Sequence, residues 1–244
     1  MRQAADKLRP PAIAEKRYVE ALRHHTGNMH AKALAHLRPR LHLVARADAT
    51  TPITQDFGQY SQELIRELAA SISSPFNAMA IAIAKKNYQA LQALGIDVRQ
   101  TGLAALVEQL RDWNIQLITK AGQAYVADVE SILDDPASWG LRVEELAAKL
   151  VERGNVSESR AELIARDQTL KMNGGLASSR MRSAGIDEYI WSTSRDERVR
   201  PSHADNEGQR FRFDSPPPET GNPSDDVQCR CVAVPYVPEL DGES

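Results

Sequence analysis

The chain has 244 residues, of which 42% are hydrophobic and 26% are charged, and its formal net charge is −3. These values are those of an ordinary folded protein and argue against wholesale disorder, and the length indicates two compact units, since single domains commonly run to roughly 100–200 residues. No apolar run approaches the ~18 residues that a membrane helix requires, and the N-terminus has no signal-peptide pattern. We therefore expect a cytoplasmic protein with no membrane partner.

Positive charge is concentrated at the start of the chain. Residues 1–46 contain ten Lys or Arg and three Asp or Glu, a net charge of +7, whereas the remainder carries −10. Such a basic segment could bind nucleic acid or an acidic protein surface. Four side chains are the candidate nucleic-acid contacts: Arg23, Lys32, Arg38 and Arg40. The alternative is that they only solvate the outer face of a helix.

Helical patterns fill the N-terminal two thirds. Apolar residues at helical spacing predict a helix over residues 12–37, ended by Pro39. A second pattern covers residues 57–93, where Pro75 predicts either two helices or a kink. A third runs from residue 103 to the Asp-Asp-Pro sequence that ends at Pro136.

Turn and cap signals divide these patterns further. The stretch ADATTPITQD, residues 47–56, predicts a turn. Gly154 predicts the end of a short helix, and Asn155 with Glu158 has the spacing of a capping box that begins the next one. That helix continues to Gly185, whose expected left-handed conformation releases the chain.

The hydrophobic period changes from helical to alternating after Gly185. Three short segments, DEYIWSTS, GQRFRFD and QCRCVAVPYV, predict antiparallel strands, and the proline-rich stretch SPPPETGNPSDD predicts a loop. The predicted fold is α+β, with an elongated, mostly helical region over residues 1–154 and a small domain of helices and a short antiparallel sheet over residues 155–236. Residues 237–244 form an acidic tail.

The two cysteines of the chain occur as the sequence Cys229-Arg230-Cys231. Alternation along a strand places both thiols on one face, where they could bind zinc with His203 as a third ligand. Arg230 then points to the other face, towards carbonyls or a carboxylate. The sequence offers no evident fourth ligand, and buried thiols also serve as small core groups. We expect a metal-free cluster, with zinc as the alternative.

Charged residues crowd the segment from Arg195 to Phe213. Arg198, Arg200 and His203 could position a phosphate and supply a general base, as in a metal-dependent, nuclease-like DNA-processing enzyme. The sequence lacks the supporting parts of such a site, since it shows no glycine-rich phosphate loop, no H-E-x-x-H and no carboxylates paired at metal spacing. A structural network that ties loops to a small sheet is therefore favoured, and no catalytic residue is assigned.

One ordered set of residues is specific in combination. It comprises Trp191, Asp196, Arg198, Val199, Arg200, His203, Gly208, Cys229, Arg230 and Cys231. With the helical segment before it and the proline-rich loop within it, this set resembles the phage head morphogenesis domain of minor head proteins, the Mu F-like and SPP1-type family. The resemblance covers about residues 100–236.

The resemblance implies a minor head protein of a tailed bacteriophage. Such proteins are virion components present in several copies near the portal, and they act in head assembly or in genome packaging and delivery. The implied partners are the portal protein, the major capsid protein and packaged DNA, with the host cytoplasm as the place of assembly. The set above is then a structural motif, in which Arg198, Arg200 and His203 hydrogen-bond the cysteine segment and the proline-rich loop. Some relatives carry enzymatic or toxin domains beyond this domain, and we expect none here.

Overall fold

A computed structural model describes residues 1–47, 50–98 and 103–238. Its α-helices and strands, in chain order, are α1 (Arg2–Leu8), α2 (Ala12–Leu37), α3 (Leu41–Ala45), α4 (Thr50–Gln92), α5 (Ala104–Asp134), α6 (Val143–Ser183), β1 (Glu188–Ser192), α7 (Pro201–Ala204), β2 (Arg210–Arg212) and β3 (Val232–Pro235). Short 3-10 turns lie at Arg38–Arg40 and Pro136–Ser138. The α+β prediction is confirmed: a long helical region precedes a small antiparallel sheet.

The chain forms two compact units that are interleaved in the sequence. Unit one comprises Met1–Lys16, Asn77–Arg111 and Arg166–Ser244, and unit two comprises Arg17–Phe76 and Asp112–Ala165. These units do not follow the contiguous ranges 1–154 and 155–236, which stay a prediction about functional division. Residues 239–244 of the predicted acidic tail lie outside the described residues.

The sheet of unit one has the strand order β2-β1-β3, and both pairings are antiparallel. Tyr189 and Trp191 leave the same face of the central strand and are fully buried. Because three short strands alone cannot exclude water from such a face, helices complete the core. The helical side chains in this core include Leu8, Leu91 and Met181.

Helix α4 is longer than the sequence indicated. Its first residue, Thr50, lies inside the predicted turn, so that prediction is wrong for residues 50–56, whereas Ala47 does lie in a turn and residues 48 and 49 lie outside the described residues. Pro52 is tolerated because the first N–H groups of a helix have no intrahelical partner. The helix also continues through Pro75, with Ile72 and Phe76 fully buried on either side of it.

Helix α6 runs without a break through the predicted boundary at residues 154 and 155, so the prediction of two helices is wrong. Gly154 lies against a neighbouring side chain, since a Cβ there would be 3.1 Å from Nδ1 of His30. The glycine therefore allows close packing inside a helix. The buried stripe that continues through it comprises Leu146, Leu150, Gly154, Ser157, Ala161 and Ala165.

The core of unit two is helical, and its largest fully buried side chains are Tyr18, Leu22, Leu37, Leu41, Phe57, Ile72 and Phe76. Helix α4 contributes to this core, yet an 18-residue window within it has a mean hydropathy of 1.2, which suffices by length and composition to cross a membrane. This is a weak indication, because the core helix of a soluble protein passes the same test.

Candidate functional site

The loop between β1 and α7 is shaped by backbone contacts as well as by charge. Arg195 has a positive φ of 56°. Asp196 then accepts a hydrogen bond from the backbone N–H of Arg198 at 3.1 Å, which closes a tight turn. Arg200 is extended and Pro201 occupies the first turn of α7, so the single-turn helix starts at a defined position. This arrangement places His203 in the interior, where it is 3% exposed.

Asp196 and Arg230 form a bidentate ion pair. Nη2 of Arg230 lies 2.6 Å from Oδ1 of Asp196, and Nη1 lies 2.5 Å from Oδ2. The hydrogen bonds from Arg230 hold the pKa of the Asp196 carboxyl well below its usual value. Arg230 was expected to bind carbonyls or a carboxylate, and here it ties the segment before β3 to the loop after β1.

Glu207 holds a second contact to the same loop. It accepts from the backbone N–H of Thr193 at 2.6 Å and from Nη2 of Arg195 at 2.6 Å. Burial of Glu207 opposes ionisation, but the hydrogen bonds from Thr193 and Arg195 outweigh it and lower the pKa of its carboxyl. Arg195 is thus anchored within the protein.

Asp226, at the end of the proline-rich loop, joins this loop to α7. Arg200 donates to Oδ2 of Asp226 at 2.8 Å and to the carbonyl of Val227 at 2.8 Å. Nε2 of His203 lies 3.2 Å from the same carboxylate oxygen. Arg198 was expected to join this network, but its guanidinium lies 3.6 Å from Asp196 and its side chain is 73% exposed.

The two cysteines meet His203 in the interior. The Sγ atoms of Cys229 and Cys231 each lie 3.5 Å from Nδ1 of His203, and all three residues are buried. The strand predicted over QCRCVAVPYV forms at Val232–Pro235 but not at the cysteines, because β3 begins at Val232 and Gln228 has a positive φ of 57°. A loop before the strand therefore brings the thiols together.

The thiols influence each other's ionisation. A hydrogen bond from Cys231, opposed by burial, lowers the pKa of the Cys229 thiol to about 6. The same hydrogen bond and burial raise the pKa of Cys231. One sulfur of the pair consequently ionises more readily than an isolated cysteine, because the other stabilises it as a donor.

Trp191 and Gly208 support this cluster from the sheet side. The indole of Trp191 packs edge-on against the ring of His203, with 5.6 Å between ring centroids. The N–H of Gly208 donates to the carbonyl of Trp191 at 2.9 Å. Gly208 has a φ of +76°, a conformation that L side chains rarely adopt.

A cleft of about 450 Å³ opens beside the cluster. Its lining residues are Glu15, Arg166, Leu170, Ser194, Arg198, Val199, Arg200, His203, Gln228, Cys229, Arg230 and Cys231. The structure therefore brings seven of the ten residues of the resemblance set to one cavity wall, while Trp191, Asp196 and Gly208 lie elsewhere in the network.

Four residues that fix the loops of the site were not predicted from the sequence. Arg9 donates to backbone carbonyls of both loops, and Asp167 accepts from the N–H of Gln228 at 2.8 Å. Glu207 and Asp226 supply the carboxylates described above. A signal existed for Asp226, which lies at the end of the loop close to the cysteines, but none existed for Arg9, whose partner Arg230 is 221 residues away.

Most of the proposed nucleic-acid contacts already have acidic partners. Lys32 lies 2.5 Å from Glu67, and the contacts of Arg23 with Glu162 and of Arg40 with Asp56 are 3.9 Å and 3.6 Å. Arg38 is exposed in the 3-10 turn. A phosphate at this surface would have to compete with these carboxylates.

Comparison with known proteins identifies the segment that contains the site. Residues 127–234 match the family model of phage Mu protein F-like proteins, which confirms the resemblance over these residues. A Haemophilus influenzae protein described as uncharacterized is 41% identical over 131 residues, which cover 54% of this chain and 29% of that protein. The match thus spans less than a third of that relative's length. No solved structure matches the chain.

Proposed function

We propose, from the premise that residues 127–234 are a phage Mu protein F-like domain, that this protein is a minor head protein of a tailed bacteriophage. In this role it is a structural component of the virion that acts in head assembly, or in genome packaging and delivery, near the portal. The observation that carries the proposal is the family match, which includes the whole segment from Asp196 to Cys231.

The geometry of the charged residues supports a structural role. Arg195, Arg200 and Arg230 each form an ion pair with a carboxylate of the same unit. Each pair joins two loops or a loop and a helix, so the guanidinium groups serve to fix backbone. Such a network suits a domain whose surface must keep a constant shape for assembly.

The proposed partners are the portal protein and the major capsid protein, with several copies of the chain in each particle. Packaged DNA is a further partner through the basic N-terminal segment, by electrostatics alone. The protein is made and assembled in the host cytoplasm and remains in the head near the portal.

The test is a comparison of particles from phage with and without the gene for this chain. We expect mass spectrometry to detect the protein in purified heads, and loss of the gene to lower the number of infectious particles per head. Crosslinking followed by peptide mapping should join it to portal or capsid protein. Absence of the chain from mature particles and from procapsids alike would overturn the proposal.

The alternative is a metal-dependent, nuclease-like DNA-processing enzyme that uses Arg198, Arg200 and His203. The observation that favours it is the cleft, which these three side chains line. Incubation of the protein with DNA and divalent cations discriminates the two functions. The structural role predicts no turnover, whereas turnover that His203→Ala abolishes would establish the enzyme.

A further inference from the structure

We propose that Cys229, Cys231 and His203 form a zinc site, with the two Sγ atoms and Nδ1 as ligands. Among the described ranges 1–47, 50–98 and 103–238, this is the one group of three or more His, Cys, Asp or Glu side chains placed to hold a metal ion. Its potential ligand atoms all lie within 4.8 Å of one another.

The two sulfur-to-nitrogen separations are those that zinc requires. Zinc binds thiolate sulfur at about 2.3 Å and imidazole nitrogen at about 2.0–2.1 Å. At a tetrahedral angle these two bonds place sulfur and nitrogen roughly 3.5 Å apart. Both sulfurs lie 3.5 Å from Nδ1 of His203. An ion can therefore bind with little movement of the three side chains.

Asp226, which is not a ligand itself, fixes the orientation of the His203 imidazole. Oδ2 of Asp226 lies 3.2 Å from Nε2 of His203, the nitrogen that faces away from the thiols. A neutral imidazole that donates from Nε2 to this carboxylate presents the lone pair of Nδ1 to the metal. Carboxylates recur in this position behind metal-binding histidines, where they fix the tautomer and strengthen the ligand.

A backbone donor completes the surroundings of one sulfur. The N–H of Ser224 lies 3.4 Å from Sγ of Cys229, and it can stabilise a thiolate without competing for the metal. Two thiolates and one imidazole are soft and intermediate donors, which select zinc over magnesium or calcium. With a neutral His203, the charges of two thiolates and Zn²⁺ cancel.

A water molecule in the cleft would supply the fourth ligand. All three ligands line this 450 Å³ cavity, which is large enough for a water molecule to complete a tetrahedron. The metal would join α7 to the segment before β3, and so reinforce the contacts that Asp226 and Arg230 already make. The site thus adds a cross-link to unit one.

Metal content of the full-length chain is the direct test. We expect about one zinc per chain after purification without added metal and dialysis against a weak chelator. Reconstitution with Co²⁺ should give thiolate-to-cobalt charge-transfer absorption and the visible bands of tetrahedral cobalt. Since the chain has two cysteines, such absorption reports on this site. Substoichiometric zinc together with absence of the cobalt bands would overturn the proposal.

Variants assign the ligands. His203→Asn keeps a polar atom near the position of Nδ1 but replaces a strong ligand, and it should lower zinc affinity at least tenfold. Asp226→Asn should lower it about 10- to 100-fold. His30→Asn is the control, because His30 is also buried but belongs to the other unit and should leave zinc affinity unchanged.

A second measurement uses the unaltered protein and does not depend on how a variant folds. A thiol reagent that modifies the two cysteines should release zinc in step with the modification, at about one zinc per two thiols. A strong chelator should speed the modification. Zinc that stays bound while both thiols react would contradict the assignment.

Discussion

Arg9, the residue that follows α1, donates to the carbonyl of Thr193 at 3.0 Å and to the carbonyl of Arg230 at 3.1 Å. One guanidinium thus joins the loop after β1 to the segment before β3, beside the ion pair of Arg230 with Asp196. The first helix therefore belongs to the same compact unit as the C-terminal sheet. Removal of the N-terminal segment would disturb this unit as well as the surface charge of the protein.

Arg9→Ala should destabilise the protein by about 1.5–3 kcal/mol, because hydrogen bonds that involve a charged group have this magnitude and two part-buried carbonyls lose their donor. Urea unfolding monitored by tryptophan fluorescence measures the change, since Trp191 lies in this core. Arg2→Ala, at an exposed position on α1, is the control and should change stability by less than about 0.5 kcal/mol. Equal effects of the two substitutions would contradict the assigned role.

Asp196 should contribute to the acid sensitivity of the fold. Its folded-state pKa lies below the unfolded value, chiefly because Arg230 hydrogen-bonds the carboxylate. The stabilisation is therefore fully present above the unfolded pKa of about 3.9 and is lost as the pH falls towards the folded pKa. Asp196→Asn should flatten the dependence of the urea midpoint on pH below about pH 5 and lower the midpoint at pH 7.

The matched control is Asp128→Asn, at an exposed position on α5. It should leave the pH dependence as in the wild type. A variant at residue 196 whose midpoint keeps the full wild-type slope between pH 5 and pH 3 would show that the ion pair with Arg230 does not stabilise the folded state.

The elements that the sequence predicted well are those whose signal is local. Periodic apolar residues identified α2 and α5, and alternation identified β1, because one buried face suffices to set the period. The break predicted at Gly154 was wrong for the opposite reason. Gly154 lies within a buried stripe of α6 whose packing outweighs the helix preference of one residue, and its contact with the ring of His30 leaves no pattern in the neighbouring sequence. At Pro75 the sequence allowed two helices or a kinked one, and the structure has one helix.

The sequence indicated which residues form the site but not how the backbone brings them together. Alternation predicted that Cys229 and Cys231 would both face His203, and the structure brings both thiols to His203 from a loop instead of a strand. Arg9 and Asp167 could not be predicted, because their partners lie far along the chain and a single arginine or aspartate on a helix is most often solvated. Contacts between residues that are far apart in the sequence are set by the tertiary fold and leave no local pattern.

Weak DNA binding is expected from the basic segment, and its strength should depend on the carboxylates that neutralise it. Replacement of Arg23, Lys32, Arg38 and Arg40 by Gln should lower DNA retention at low salt and reduce the dependence of affinity on salt. Fluorescence anisotropy with a duplex of arbitrary sequence at several salt concentrations measures both quantities. Unchanged retention by this variant would remove DNA as a partner of the segment.

Removal of the acidic partners is the control, because it should raise the DNA affinity instead of lowering it. Glu67→Gln and Glu162→Gln remove the partners of Lys32 and Arg23 and leave the cations available. DNA affinity at low salt should then rise above that of the wild type. A fall in affinity would show that these carboxylates support the binding surface and do not compete with phosphate.

Two adjacent glycines in α6 should respond in opposite ways to the same substitution. A Cβ at Gly174 would lie 2.7 Å from Cβ of Ser224 and 3.0 Å from the carbonyl oxygen of Pro223, so the loop that carries Ser224 must shift. Gly174→Ala should therefore destabilise the protein by about 1–3 kcal/mol. A Cβ at Gly175 meets its nearest neighbour, Leu110, at 3.7 Å, an ordinary contact.

Gly175→Ala should accordingly stabilise the protein by about 0.5–1 kcal/mol, because alanine loses less backbone entropy than glycine in a helix. Because helix propensity changes equally at both positions, the difference in stability between the two variants reports on the close approach of α6 to the proline-rich loop. Ser224 also donates from Oγ to the carbonyl of Cys231, so displacement of the loop should reach the cysteine segment. Thiol reactivity should rise in Gly174→Ala and stay at the wild-type rate in Gly175→Ala; equal rates and equal stabilities would show that the loop does not pack against α6 as described.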